Sequence, residues 1–256
     1  MVLSLERKDG LGPGTFVGLQ NYARLLADPR FAIAVRNTIL ITAAGIFILL
    51  PLAFLLALGL NSPRLRARTV FRLLFFLPAA TSAVIVAMIG YVFYDQQYGF
   101  LNTVFGSDIP WVSSAALILP SIFLLLLWKW TGYNAMYFLA GLQTVSPELV
   151  DAAKVDGANS VQIVRYVYLP LMKPIVLVVV VLAILGGAQT FAEPYLLTRG
   201  TGGPGQGGLT LAMMMWDAGF RQIRLGYAAA IGYVTVLGAV AASLVAARLL
   251  RSDRHE

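Results

Sequence analysis

A chain of 256 residues with 59% hydrophobic and only 12% charged side chains, and a mean hydropathy of +0.77, lies outside the soluble range, where about 25% of residues are charged. The pattern predicts an all-α polytopic membrane protein, because a helix of about 20 apolar residues crosses the hydrocarbon core. The lack of cysteine excludes disulfides and thiolate metal sites, and a formal charge of +7 reads as the positive-inside bias of an inner-membrane protein rather than a nucleic-acid footprint.

The first ten residues, MVLSLERKDG, lack the apolar core of a signal peptide, so insertion is expected to rely on the chain's own spans. Residues 1–33 are expected to form an N-terminal extracytoplasmic segment, 34–252 a transmembrane domain of about five helices, and 253–256 a cytoplasmic tail. The first span is predicted near Thr38–Leu60, kinked at Pro51. A short loop with Arg64, Arg66, Arg68 and Arg72 follows. The second span is predicted near Leu73–Tyr94, and then the stretch DQQYGFLNTVFGSDIPWVSS carries no lysine or arginine. A long third helix is expected near Ala115–Leu142, a fourth near Ile175–Leu196 and a fifth near Tyr227–Leu249. Between the third and fourth lies a polar segment, 143–172, and between the fourth and fifth a glycine-rich loop, TRGTGGPGQGGLT.

Loop charge orients these spans. The loops at 61–72 and 143–173 and the tail from Arg248 hold four, three and three basic residues, whereas 95–114 holds none and 197–226 three. That places the polar segment and the C-terminus in the cytoplasm. The first 36 residues hold five basic residues yet fall outside on this reading, against the rule. The internal loops flank spans on both sides and carry the assignment.

Little here can run enzymatic chemistry. GTGGPG at Gly200–Gly205 matches a dinucleotide fingerprint on paper, but that motif needs a preceding strand and a following helix N-terminus. It is expected to be a loop or gate. There is no phosphate-binding P-loop, no serine elbow and no histidine placed as a base; His255, the single histidine, is next to last. No catalytic residue, metal site or cofactor is expected on this chain. Lys129 falls about 13 residues inside the third helix, roughly 20 Å deep at 1.5 Å per residue, and is expected to face the bundle interior or a watery path, or to snorkel. With Trp128, Asn134, Gln189 and Tyr195 it makes up a candidate substrate path. The near-absence of carboxylates in the spans weighs against a proton- or sodium-coupled carrier.

The polar segment ELVDAAKVDGANSVQIVRYVYLP, 148–170, is the most informative. Ser146 can cap a helix with Pro147 in its first turn and Glu148 at the positive end of its dipole. Gly157 allows a sharp turn, Asn159 or Ser160 can cap a second helix, and Pro170 is expected to stop it. Ala152, Ala153, Gly157 and Ala158 cluster at the turn, where a partner surface can approach closely. Tethered to spans at both ends, this hairpin has no reach into a DNA groove and reads as a handle for a cytoplasmic protein.

The segment resembles the EAA loop of binding-protein-dependent ABC-importer permeases, E-A-A-x3-G-x9-I-x-L-P: Asp151-Ala152-Ala153, then Gly157, Val167 and Leu169-Pro170 reproduce its spacing, with aspartate for glutamate and valine for isoleucine. FVGLQNYARLLADPRFAIAVRNT, LTRGTGGPG and AGFRQIRLGYAAAI resemble the carbohydrate-importer branch, so the likeness runs from about Phe16 to Arg248. It implies a type I importer permease fold, usually of six spans; the first, which would precede FVGLQNY, has no counterpart in the 15 residues before Phe16. It further implies a half-permease in the cell membrane, in contact with lipid and paired with a second permease subunit, a cytoplasmic ATPase dimer and an extracytoplasmic solute-binding protein. The resemblance assigns ATPase coupling to Glu148, Asp151, Ala152, Ala153, Gly157, Leu169 and Pro170. A sugar or a related polyol such as glycerol 3-phosphate is the implied cargo. A secondary carrier without an ATPase and a membrane scaffold are the alternatives.

Overall fold

The computed structural model describes residues 2–10, 12–62 and 65–251; the predicted tail 253–256 and Arg64 lie outside the described residues. A hairpin of β1 (Glu6–Arg7) and β2 (Thr15–Phe16) precedes a run of helices: α1 (Gln20–Ala27), α2 (Pro29–Asn61), α3 (Arg68–Ala80), α4 (Ala83–Tyr94), α5 (Phe100–Phe105) and α6 (Ile118–Leu142). The chain continues through α7 (Pro147–Val155), α8 (residues 160–171), α9 (Lys173–Ala188), α10 (Ala192–Leu197), α11 (Leu211–Trp216) and α12 (Leu225–Arg251).

Pro29–Asn61, Lys173–Leu197 and Leu225–Leu250 are long and apolar enough to cross a membrane, and α3 with α4 makes a fourth span if the bent pair counts as one. At 25 residues, α6 reaches about 38 Å at 1.5 Å per residue, although Trp128, Lys129, Trp130 and Asn134 dilute its apolar run.

Three spans differ from expectation, each for a local reason. The first helix begins at Pro29 rather than near Thr38, because proline has no N–H to lose in a first turn and Asp28 Oδ1 accepts the Arg30 N–H at 2.9 Å. The second span is not one straight helix: α3 and α4 meet at 95°. Pro78 sits in the last turns of α3, Ser82 turns extended, and its Oγ accepts the Ile85 N–H at 3.4 Å to cap α4. The fourth breaks between Ala188 and Ala192, where the Thr190 hydroxyl donates to the Gly186 carbonyl at 3.0 Å.

The chain divides into two compact units. The first takes the described residues up to Ala44 with Ser82–Leu126 and Ile184–Ala242. Its core gathers Leu25, Met213, Met214, Tyr227 and Ile231, with α11 packed on the start of α2 and α10 on α4. The N-terminal segment is stitched into it: Gly10 N–H donates to Ile223 O and Leu225 N–H to Lys8 O, each at 2.9 Å, and Asn21 Nδ2 donates to Ser4 O and Glu6 O at 2.9 Å. Asn37, fully buried, donates to Gln206 O and Leu209 O at 3.1 and 3.0 Å. These bonds hold the N-terminal segment and the loop 197–226 at the same end of their unit, whatever the basic residues of the former.

The second unit takes Gly45–Thr81, Leu127–Ala183 and the described residues from Ser243. Phe54 packs edge-on against Phe138 at 5.5 Å, Gly132 lies against the Phe75 carbonyl, and Gly141 against Met172 and Ile175. Small residues at such crossings let helices approach without a hydrophobic drive from lipid.

Two adjacent glycines of α9 test that packing. A Cβ on Gly187 would collide with the Thr42 side chain of α2, whereas one on Gly186 meets nothing within 4 Å. Gly187→Leu is expected to destabilise by about 1–3 kcal/mol through overpacking, seen as a lower midpoint in detergent thermal unfolding. Gly186→Ala is expected to leave that midpoint unchanged or raise it.

Candidate functional site

The hairpin at 146–171 is built by four local devices. Ser146 Oγ accepts the Glu148 N–H at 3.3 Å and donates to Glu148 Oε2 at 2.8 Å, so Pro147 and Glu148 open α7 as their chemistry dictates. Asp151 and Lys154 pair at 2.8 Å one turn apart, an exposed link worth about 0.2–0.5 kcal/mol. At the far end Gly157 N–H donates to Lys154 O at 3.0 Å and Ala158 N–H to Ala153 O at 2.9 Å, the crossed pair of a Schellman cap. Gly157 itself has φ +83°, and nothing lies within 4 Å of where its Cβ would stand. Handedness, not space within this chain, demands glycine there.

Of the two capping candidates, Asn159 is the one used: its Oδ1 accepts Gln162 N–H at 3.0 Å while Gln162 Oε1 accepts Asn159 N–H at 2.8 Å, a reciprocal capping box. Pro170 does not stop the second helix as expected. The ladder widens into a π-turn at Val164–Tyr168, Leu169 N–H reaching back to Val164 O, and the helix carries on through Leu169–Leu171. Since proline offers no N–H and its ring clashes with the carbonyl four residues back, widening the turn before it lets the helix continue. The same device precedes Pro51, where Gly45–Leu49 is π-helical.

None of α7 is buried. Glu148, Asp151, Ala152, Gly157, Leu169 and Pro170 are exposed and Ala153 half-exposed, and Leu149, Val155, Val161 and Tyr166 also stand open, Val155 at 87%. The hairpin therefore exposes alanines and larger apolar side chains among its charges, with its helix ends satisfied internally.

The residues predicted for the path are shared between the two units. Lys129, 6% exposed, lies in the second unit with its ammonium 5.0 Å from the Trp130 ring centre. Trp128, on the same helix, is 45% exposed. Asn134 spends its amide on the Trp130 carbonyl at 2.9 Å. Gln189 and Tyr195 fall in the first unit: Gln189 is exposed at the helix break, while Tyr195 stacks on Phe191 at 4.9 Å and meets Trp216 edge-on at 4.8 Å. Sequence reading missed Phe191, Trp216 and Phe220, which extend this aromatic row, because Trp216 reaches Tyr195 only through the fold. Glu193, in the first turn of α10, is buried. The GTGGPG loop follows a helix, α10, rather than a strand, so it has no dinucleotide geometry. It helps to line a cleft of about 420 Å³ with Tyr91, Tyr94 and Trp111. The polar tips of those rings are committed inward, to Leu196 O, Ser121 O and Asn102 Oδ1; Tyr94 is buried beside Trp111, and the Arg199 guanidinium lies over the Tyr91 ring at 5.7 Å.

With the hairpin's geometry established, comparison supplies the family. Residues 49–252 match the family described as binding-protein-dependent transport system inner membrane component. The chain belongs to that family. The permease is 35% identical over 250 residues to the arabinooligosaccharides transport system permease protein AraP of Bacillus subtilis, covering 96% of this chain and 79% of that one. To the lactose transport system permease protein LacF of Rhizobium radiobacter it is 33% identical, covering 93% and 81%. Its fold superposes with TM-score 0.78 at 21% identity on a chain of a bacterial alginate ABC transporter solved with an alginate pentasaccharide-bound periplasmic protein, over 92% of this chain and 83% of that one.

The caps make the permease's hairpin separable from its spans by measurement. Asn159→Ala is expected to cost about 1 kcal/mol, so amide exchange at Gln162 and Ile163 should rise about fivefold while exchange in α9 stays as it was.

Proposed function

We propose that this permease is one half of the membrane channel of an ATP-driven importer for an oligosaccharide or related polyol, with its C-terminus in the cytoplasm. The reading pairs it with a second permease subunit. ATP hydrolysis resides on a cytoplasmic ATPase dimer, and a solute-binding protein delivers cargo outside. Residues 34–252 form the transmembrane domain and 143–172 the coupling loop, with 1–33 outside and 253–256 inside. The carbohydrate cargo rests on the relatives' names, the arabinooligosaccharide and lactose permeases among them.

One observation carries the coupling role: a doubly capped hairpin with no buried residue on its first helix projects from a chain that is otherwise apolar. Asp151, now held by Lys154, exchanges that exposed pair for a basic group on the ATPase; desolvated there, a charge-assisted hydrogen bond is worth about 1.5–3 kcal/mol. Ala152, Ala153 and Gly157 keep the contact face slim. Glu148 starts the helix, and Leu169 and Pro170 join the hairpin to the span that moves. In the path, the ring faces of Trp128 and Tyr195 offer stacking surfaces for sugar, with Lys129, Asn134 and Gln189 as polar contacts.

Vesicles rebuilt with both permeases, the ATPase and the binding protein test this. Uptake is expected to require ATP, and ATP-independent uptake would overturn the reading in favour of a carrier. Gly157→Leu forces a branched side chain into a left-handed backbone at about 1–2 kcal/mol and puts bulk on the docking turn, so uptake should fall at least about tenfold with weakened ATPase co-purification. Asp151→Glu should retain uptake and Asp151→Lys should not. Normal uptake by Gly157→Leu would sink the coupling assignment.

A further inference from the structure

The first unit holds a second recess, of about 350 Å³, lined among others by Arg24, Asp28, Arg30, Asp217, Arg224 and Tyr227. Its two carboxylates are already occupied. Asp28 accepts from the Tyr227 hydroxyl at 3.0 Å and the Arg30 N–H at 2.9 Å; Asp217 is held by Arg30 at 3.2 Å, Arg221 at 3.4 Å and Gln222 Nε2 at 2.9 Å. The side chains of Arg24 and Arg224 are exposed, and among the described residues neither enters a hydrogen bond or ion pair. The recess therefore offers two uncommitted guanidinium groups over acids that internal donors have neutralised.

The same segments carry exposed apolar bulk, Leu26 at 78% on α1 and Phe220 at 76% just after α11. The recess is itself part apolar, with Ala27, Pro29, Met214 and Ala218 in its lining. Arginine beside large apolar side chains is the make-up of protein-binding hot spots. The backbone under Arg224 is fixed, since its neighbours Ile223 and Leu225 bond to Gly10 and Lys8 of the N-terminal segment, and a pre-ordered surface loses little entropy on binding. We propose that this recess receives acidic side chains of the extracytoplasmic binding protein, Arg24 and Arg224 forming the charge-assisted contacts. The proposal rests on the importer reading above, which puts residues 1–33 and 197–226 outside.

Proteoliposomes holding both permeases and the ATPase dimer, loaded with ATP and titrated from outside with the binding protein, decide it. Half-saturation of uptake by wild type is expected to weaken steeply as salt rises from about 50 to about 500 mM, because exposed charge pairs are screened. Arg24→Glu with Arg224→Glu should raise the half-saturating concentration about tenfold or more and flatten the salt response, with the maximal rate recovered at saturation; the paired Gln variants should fall between. A salt-independent wild-type half-saturation overturns the proposal without any variant having to fold. So does a double reversal within about twofold of wild type, or a lost maximal rate that saturating binding protein does not restore while the ATPase still co-purifies. If wild-type uptake needs no binding protein at all, the importer reading itself fails, which is a different result.

Discussion

In hydrocarbon no water waits to satisfy a freed peptide group, so every interruption of a membrane helix must be closed by the protein. This permease interrupts its helices repeatedly and closes each one with a side chain or a change of ladder. At the 95° bend between α3 and α4, the Thr81 hydroxyl takes the Leu77 carbonyl at 3.1 Å and Ser82 caps α4. At the break after Ala188 the Thr190 hydroxyl takes Gly186 O, and the Thr190 carbonyl accepts the Thr210 hydroxyl at 2.7 Å. Before Pro51 and Pro170 the ladder widens instead. A hydroxyl one turn behind the break, or a π-turn ahead of a proline, keeps the backbone satisfied where direction changes.

The second Thr190 bond also does long-range work. Thr210 lies 20 residues on, at the N-terminus of α11, where its hydroxyl oxygen also accepts the Met213 N–H at 3.2 Å. One threonine thus ties the helix break of α9 to the start of α11, while Thr38 Oγ1 accepts the Leu211 N–H at 3.1 Å from the other side. Together with Asn37, these polar groups fix the glycine-rich loop and the aromatic row of Phe191, Tyr195 and Trp216 as one piece. In a low-dielectric setting a satisfied network of this kind rigidifies, whereas a half-satisfied one would be costly.

What was legible in the sequence was local. Apolar run length gave the helices, and the hairpin could be read residue by residue because its signals act within a turn: Ser146 with Pro147 and Glu148, Gly157, then Asn159. The Asp151–Lys154 pair was missed, although its three-residue spacing on a helix was the signal that could have found it. The bend at Ser82 was hidden because a serine in an apolar run serves equally well within a helix, bonding its own backbone, or as a cap. Pro170 misled for a related reason, since a proline rule framed on α-geometry does not anticipate a π-turn upstream. The scattering of Lys129 and Tyr195 into different units was invisible, because spacing along a chain carries no information about which helices meet.

The N-terminal segment shows how such non-local bonds tie the side on which one loop lies to that of another. Five basic residues before position 37 argue for the cytoplasm, and the backbone bonds of Lys8 and Gly10 with the 223–225 stretch tie the segment to the loop 197–226, while Asn21 braces it internally through Ser4 and Glu6. The positive-inside bias acts on loops during insertion and is a sum of small increments. A segment whose polar backbone closes on another loop sits wherever that loop sits. Its arginines then act as surface chemistry: Arg30 is absorbed by Asp217, and Arg24, like Arg224 of that loop, is exposed.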